Sequence, residues 1–214
     1  MSDVAIVVPA FNEERSIGEV VEALGDVGSV IVVDDASTDA TAARAAAAGA
    51  QVVRLEVNEG YGAAIEAGFR EAAEQGYRRV VTADGDGQHA AGDVAAFVAL
   101  LEGDEADLAV GIRPGRRRFL ERVCAWYSRR ALGIHDPLCG LKGYDVRFFE
   151  AYGGFDRRRS VGTELMAYAA RHGARCVQQP IVLGPRENGE SRFYSTLRGD
   201  LRILRSLWAM IRVR

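Results

Sequence analysis

The run Val4-Ala5-Ile6-Val7-Val8-Pro9-Ala10-Phe11-Asn12-Glu13-Glu14 decides how the rest of this chain is read. Its first five residues are uninterruptedly apolar and rich in β-branched side chains, which predicts a parallel strand buried on both faces. Pro9 ends the strand and a polar tip follows. The same pattern recurs where Val30-Ile31-Val32-Val33 runs into Asp34-Asp35-Ala36-Ser37-Thr38-Asp39, and where Arg79–Ala83 runs into Asp84-Gly85-Asp86-Gly87-Gln88-His89. Between these strands Ile17, Val20, Val21 and Leu24 fall at helical spacing. An Ala-rich helix running to about Ala48 is expected to be capped by Thr38 or Asp39 and stopped by Gly49. Gln51–Leu55 and Asp107–Gly111 complete five strands, with helices over Gly60–Glu74 (Ala64, Ile65, Gly68, Phe69 and Ala72 inward) and around Val94–Leu101. Alternating strands and helices with short links predict an α/β, doubly wound, mostly parallel sheet. Ligands of such sheets bind beyond the carboxyl ends of the strands, where all three acidic tips fall.

The second half is less regular. Helices are expected over Arg116–Leu132, Thr163–His172 and Ser195–Arg212, a return to the sheet over Gly140–Val146, and a last strand over Arg175–Leu183. A length of 214 residues suits one domain, read as 1–194 with an amphipathic basic helix over 195–214. Charge divides sharply. Residues 1–112 hold 21 carboxylates against 6 arginines, a net −15; residues 113–214 hold 21 Arg/Lys against 9 carboxylates, a net +12. Such asymmetry predicts different partners for the two halves, with phosphates facing the basic one. The three cysteines (Cys124, Cys139, Cys176) lack disulfide or zinc spacing, and neither a signal peptide nor a membrane-spanning run is recognisable, so a cytoplasmic protein is expected.

Asp84 and Asp86 would repel one another unless a cation lay between them. Gly85 lets the turn close and a ligand approach. Hard oxygen ligands suit Mg²⁺ or Mn²⁺, which keep positions open for substrate phosphates, and Gln88 offers a further oxygen, with His89 a weaker candidate. A lone Asp-x-Asp is also a common polar turn, but here it stands beside two other acidic strand ends. A carboxylate after a strand, such as Asp35, suits a ribose hydroxyl or a base edge. Phe11 can pack near a base and Glu13 can accept from its donor groups. The glycine-rich Asn58-Glu59-Gly60-Tyr61-Gly62 lacks a phosphate-loop lysine and reads as loop geometry.

At this point the motifs resemble a known family, the family-2 glycosyltransferases of the GT-A fold, and within it the polyprenyl-phosphate sugar synthases that include dolichyl-phosphate mannose synthase. The resemblance rests on Pro9–Glu14, on Val33-Asp34-Asp35 with Ser37–Thr41, and on Asp84–His89. It continues through Asp136–Tyr144, Gly162-Thr163-Glu164-Leu165, and Pro180-Ile181 followed by Arg186 and Gly189-Glu190-Ser191-Arg192. It implies that Pro9, Phe11, Glu13 and Asp35, with the Asp84-Gly85-Asp86 turn, hold a nucleotide sugar. It implies that Asp84, Asp86 and Gln88 bind the metal, and that Arg113, Lys142, Arg186, Ser191 and Arg192 surround donor or acceptor phosphates. It also implies transfer with inversion to a polyprenyl or dolichyl phosphate. Mannose from GDP-mannose is favoured by the Gln88-His89 ending, and glucose comes next.

An acceptor hydroxyl would need a general base, for which Asp136 and Glu164 are the acids at motif positions in the second half. A phosphate monoester needs none, because its second proton leaves near pH ~6. The final helix aligns Leu197, Leu201, Leu204, Trp208 and Ile211 on one stripe, with Arg198, Arg202, Arg205 and Arg212 away from it. Together with Arg116–Arg130 this predicts peripheral binding to the inner face of the cytoplasmic membrane, although both stripes would equally suit packing on the sheet. A family-2 enzyme with a soluble or polysaccharide acceptor remains an alternative. A nucleotidyltransferase would need a glycine-rich basic loop after the first strand, which Pro9–Arg15 lacks. A nucleic-acid-binding module is the alternative of another class; the aromatics do not interleave with the cations as an RNA-binding sheet requires, so nucleic acid is not an expected partner.

Overall fold

The N-terminal apolar run becomes β1 (Val4–Ala10), paired in parallel with β2 (Ser29–Asp34) on one side and β4 (Arg79–Thr82) on the other. The computed structural model describes residues 2–115, 118–156, 160, 162–184 and 197–213, the side chains of 197 and 198 excepted. Among them β3 (Gln51–Arg54), β5 (Leu108–Ile112), β6 (Lys142–Asp145) and β7 (Cys176–Pro180) complete a sheet of order β3-β2-β1-β4-β6-β5-β7. The sheet is parallel except for β6, which runs antiparallel to both β4 and β5. The residues expected to return to the sheet therefore do so in the middle of it.

Side chains of β1 alternate between two cores, as a pleated strand requires. Val4, Ile6 and Val8 meet α1 (Ile17–Gly25), α2 (Thr41–Ala47) and α4 (Ala91–Glu102) on one face. Ala5 and Val7 meet the core shared by α3 (Tyr61–Glu74), α5 (Phe119–Leu132), α6 (Val146–Tyr152), α7 (Thr163–Arg171) and α8 (Leu197–Arg212) on the other. Phe69 of α3 lies fully buried at the centre of that second core, with ring centroids 5.1–5.6 Å from Phe149, Phe155 and Tyr144.

Two differences from the sequence expectation have physical causes, and the last helix shows which of the two placements left open for its stripe the fold adopts. The Ala-rich helix starts at Thr41 with Ala40 before it; Thr38 turns to Asn12, while Asp39 accepts from the Thr41 amide at 3.0 Å. Helix α6 follows β6 without a loop, its first turn fixed by the Asp145 carboxylate accepting from the Arg147 amide at 2.9 Å; seven residues are too few to show a helical period. In α8 the buried stripe is Ile203, Ser206, Ala209, Met210 and Val213, while Leu201, Leu204, Trp208 and Ile211 face outward. The helix is pinned in that roll. Ser206 donates to the Ser160 carbonyl at 2.5 Å, Thr163 donates to the Ser206 carbonyl, and Arg171 donates to the carbonyls of Met210 and Val213 at the helix C-terminus.

At the amino ends of β5 and β7 an ion-pair cluster ties the sheet together. Asp107 accepts from the Arg175 amide, Nε and Nη2 at 2.8, 2.9 and 3.0 Å and pairs with Arg147 at 2.8 Å. These bonds hold its carboxyl at about 2, against an ordinary 3.8. A depressed folded-state value stabilises the protein fully above the unfolded value and is lost as pH falls through the folded one. Asp107→Asn is thus expected to cost up to about 2 kcal/mol at pH 5 and progressively less between pH 4 and 2. Urea titrations of both proteins at several pH values check this; parallel stability curves would contradict the pairing.

Candidate functional site

The carboxyl ends of β1 and β2 are sewn together by their own tips. Pro9 and Ala10 pair with Val33 and Asp34 in the ladder. Beyond it, the Asn12 amide donates to the Ser37 hydroxyl at 2.9 Å, and Asn12 Oδ1 accepts from the Thr38 amide at 2.9 Å. Asn12 adopts φ 53°, which this short amide side chain tolerates. Glu13 donates its amide to Thr41 Oγ1 at 2.8 Å. Phe11 and Glu13, both half-buried, follow directly after β1.

The strand-end acids are not equivalent. Asp34 is fully buried, accepts from the Ser37 amide at 3.0 Å and meets Arg54 at 3.3 Å. Asp35 accepts from the amides of Glu59 and Gly60, both at 2.8 Å, at the start of α3. This carboxylate therefore anchors the glycine-rich loop to β2, and that anchoring role was not anticipated from the sequence.

The Asp84-Gly85-Asp86 turn follows β4. A Cβ on Gly85 would stand 3.1 Å from the Pro9 carbonyl oxygen, so the tips of β1 and β4 touch there. Ser16, ahead of α1, donates to the Gly85 carbonyl at 2.9 Å. Asp86 accepts from the Gln88 amide at 3.1 Å. Gln88 itself turns its side-chain amide to the Gly184 carbonyl at 3.3 Å, which directs it toward the segment after β7. His89, whose side chain is 3% exposed, places Nε2 3.1 Å from Asp84 Oδ2. Burial lowers the imidazole pKa, but the bond to Asp84 and the charges of Asp84, Asp86 and Asp93 outweigh it and raise the value. His89 is thus the partner that orients Asp84, a role its five-residue separation across the turn signals in retrospect.

The antiparallel β6 brings its first residues to the same edge. Thr82 donates to the Gly140 carbonyl at 2.7 Å, and a Cβ on Gly140 would lie 2.5 Å from Asp84 Oδ2. Only glycine leaves room for the carboxylate there. Lys142 pairs with Thr82 in the ladder and is buried, which lowers its ammonium pKa against the opposing pull of Cys139 and Asp136. Arg113, one residue past β5, donates Nε to Asp136 Oδ2 at 2.8 Å and Nη2 to Asp136 Oδ1 at 2.9 Å, and reaches Glu121 of α5 at 3.5 Å. Asp136 is 1% exposed, with both oxygens engaged. Glu164, in the first turn of α7, is fully buried and accepts from the Tyr152 hydroxyl at 3.3 Å. Arg186, Ser191 and Arg192 lie outside the described residues.

Among the described residues no three His, Cys, Asp or Glu side chains are grouped to hold a metal by themselves. Asp84 and Asp86 nevertheless fit a hard divalent cation whose remaining positions are filled by a ligand's oxygens and water: the donors are carboxylates, and Asp84 is held against Gly140, where a Cβ would displace it.

Fold and strand-end acids together define a GT-A-type α/β enzyme. The family model for glycosyl transferase family 2 matches residues 5–136. An uncharacterized glycosyltransferase of Mycobacterium tuberculosis is 35% identical, with 97% of each chain covered. An undecaprenyl-phosphate mannosyltransferase of Micrococcus luteus is 29% identical over 97% of this chain and 94% of its own. Glucosyl-3-phosphoglycerate synthase from Mycobacterium tuberculosis, solved with Mg²⁺ and uridine diphosphate, is similar in fold at TM-score 0.76 and 23% identity, covering 99% of this chain and 80% of that one. The chain belongs to glycosyl transferase family 2 and is a glycosyltransferase.

Replacing Asp84 by Asn removes the charge that raises the His89 pKa while leaving its burial in place. In the metal-free protein the His89 pKa is therefore expected to fall below its wild-type value, read from imidazole NMR signals among three histidines. An unchanged titration would show that the two side chains do not meet.

Proposed function

We propose that this glycosyltransferase moves a sugar from a nucleotide sugar to a polyprenyl phosphate, with mannose from GDP-mannose preferred and glucose next. The observation that carries the acceptor class is the state of Asp136 and Glu164, the acids read from the sequence as candidate general bases. Asp136 is buried with both oxygens held by Arg113, and Glu164 is buried against Tyr152. A base must reach the proton it removes, and neither carboxylate is presented to an incoming hydroxyl. A phosphate monoester arrives already ionised at neutral pH and needs no base. The similarity to an undecaprenyl-phosphate mannosyltransferase supports the same reading.

Phe11 and Glu13 would flank the nucleoside, while Asp35 keeps the α3 loop in place beneath it. Asp84 and Asp86 would hold Mg²⁺ or Mn²⁺, which when bound offsets the negative charge of the diphosphate. His89 and close packing against Gly140 fix the direction of the Asp84 carboxylate. The Arg113–Asp136 pair, with Glu121 and the buried Lys142 close by, sets a rigid, internally paired wall on the β5–β6 side of the site. In the transfer, an acceptor phosphate oxygen bonds to the sugar's anomeric carbon. The bond from that carbon to the diphosphate oxygen breaks, and the nucleoside diphosphate departs with the electron pair. A single displacement of this kind inverts the carbon.

The test is incubation of the protein with Mg²⁺ or Mn²⁺ and labelled nucleotide sugars, with and without polyprenyl phosphate in detergent. Label is expected in the organic phase, lost with EDTA and reduced at least about 100-fold by Asp86→Ala. Label confined to water-soluble products would replace the lipid acceptor by a soluble one, and a protein binding no nucleotide sugar would sink the reading altogether.

A further inference from the structure

Helices α5 and α8 pack side by side on the outside of the second core, and both turn large apolar side chains to solvent. Phe119 is 75% exposed and Trp126, two turns later on the same helix face, 69%. On α8, Leu201, Leu204, Trp208 and Ile211 form a continuous outward stripe, with Trp208 50% exposed. Loose docking does not explain this, because Ser206, Thr163 and Arg171 fix the roll of α8. Both tryptophans of the chain stand on these two outer faces.

Among the described residues the exposed charge of these two helices is of one sign. Arg122, Arg129 and Arg130 of α5 and Arg202, Arg205 and Arg212 of α8 are exposed. The Arg212 guanidinium lies 5.4 Å from the centroid of the Trp208 ring. The acids of the two helices are already matched: Glu121 is buried beside Arg113, and Asp200 is paired with Arg118 at 2.5 Å. Among the described residues no helix is long and apolar enough to cross a membrane. Arginine-flanked aromatic and aliphatic side chains on a helix lying along a surface match the boundary of a bilayer, where rings sit at headgroup depth and cations meet lipid phosphates.

We infer that the outer faces of α5 and α8 form one docking surface for an anionic phospholipid bilayer, with Phe119, Trp126, Leu201, Leu204, Trp208 and Ile211 inserted among the headgroups. The inference extends the lipid-acceptor reading, since a polyprenyl phosphate is held in such a bilayer. It makes a separate claim about the surface, which can be tested without sugar transfer.

The experiment uses the full chain and vesicles of phosphatidylcholine with or without phosphatidylglycerol, containing no polyprenyl phosphate and no donor. Anionic vesicles are expected to sediment the protein and shift its tryptophan emission to the blue, and binding should weaken as salt rises. Leu201→Gln with Leu204→Gln, which keeps Trp126 and Trp208 as reporters, should weaken partitioning about 10-fold or more. Arg129→Glu with Arg130→Glu should abolish the preference for anionic lipid. All four positions are exposed, and circular dichroism confirms folding of each variant. Absence of binding to anionic vesicles overturns the proposal. So does a blue shift that follows protein concentration in the absence of vesicles, which would assign the face to a second copy of this chain. Transfer to polyprenyl phosphate in detergent, measured separately, tells failure of this surface from failure of the acceptor reading.

Discussion

The arrangement of this protein turns on holding two carboxylates, one residue apart, at the end of a buried strand. In a medium less polar than water such a pair repels strongly, and the repulsion falls only when positive charge stands close by. The other acidic strand ends have been settled internally. Arg54 and the Ser37 amide take Asp34, and the amides at the start of α3 take Asp35, where the partial positive charge of a helix terminus favours an anion. Asp84 and Asp86 are handled differently. Asp84 meets the His89 imidazole and packs against Gly140 ahead of β6, and Asp86 accepts from the Gln88 amide. Two carboxylates held in that way offer hard oxygen donors of the kind a divalent cation takes.

Strand β6 makes this possible. Running against its neighbours, it delivers Gly140 and Lys142 to the edge where the parallel strands β1, β2 and β4 end. The acidic first half and the basic second half of the chain meet there. The charge division has two parts in three dimensions. Acidic tips converge on the cleft, while the arginines of α5 and α8 spread over the outside of the opposite half. Arg113 belongs to neither group, because its guanidinium is spent on Asp136 and Glu121 inside the wall of the cleft.

Much of the fold was legible because uninterrupted β-branched runs admit little besides buried strands, and the polar tips after them show which edge is open. The position and direction of β6 were not legible. Four residues, Lys142–Asp145, carry no periodicity, and their pairing with β4 depends on contacts sixty residues apart, such as Thr82 with the Gly140 and Lys142 carbonyls. Within the site, the residue types at the strand ends identified the cleft, but their division of labour required geometry. An aspartate that caps a distant helix start and one that meets a histidine across its own turn look alike in a sequence, as Asp35 and Asp84 show.

The last helix shows the same limit in a sharper form. A period of 3.6 residues reveals a stripe but does not say which stripe is inward when two are apolar. In α8 the inner stripe is built largely of small residues, with Gly199, Ser206 and Ala209 beside Ile203 and Met210. Small residues let the helix axis approach α5 and α7, and the hydrogen bonds of Ser206 require that approach. Exchanging the stripes would force Leu201, Leu204 and Trp208 into a space shaped for glycine, serine and alanine, and overpacking of that kind is itself destabilising. Steric fit on the inside thus decides what the outside presents. The large apolar side chains are left facing outward because the inner face has no room for them, and the arginines beside them give that outer face its charge.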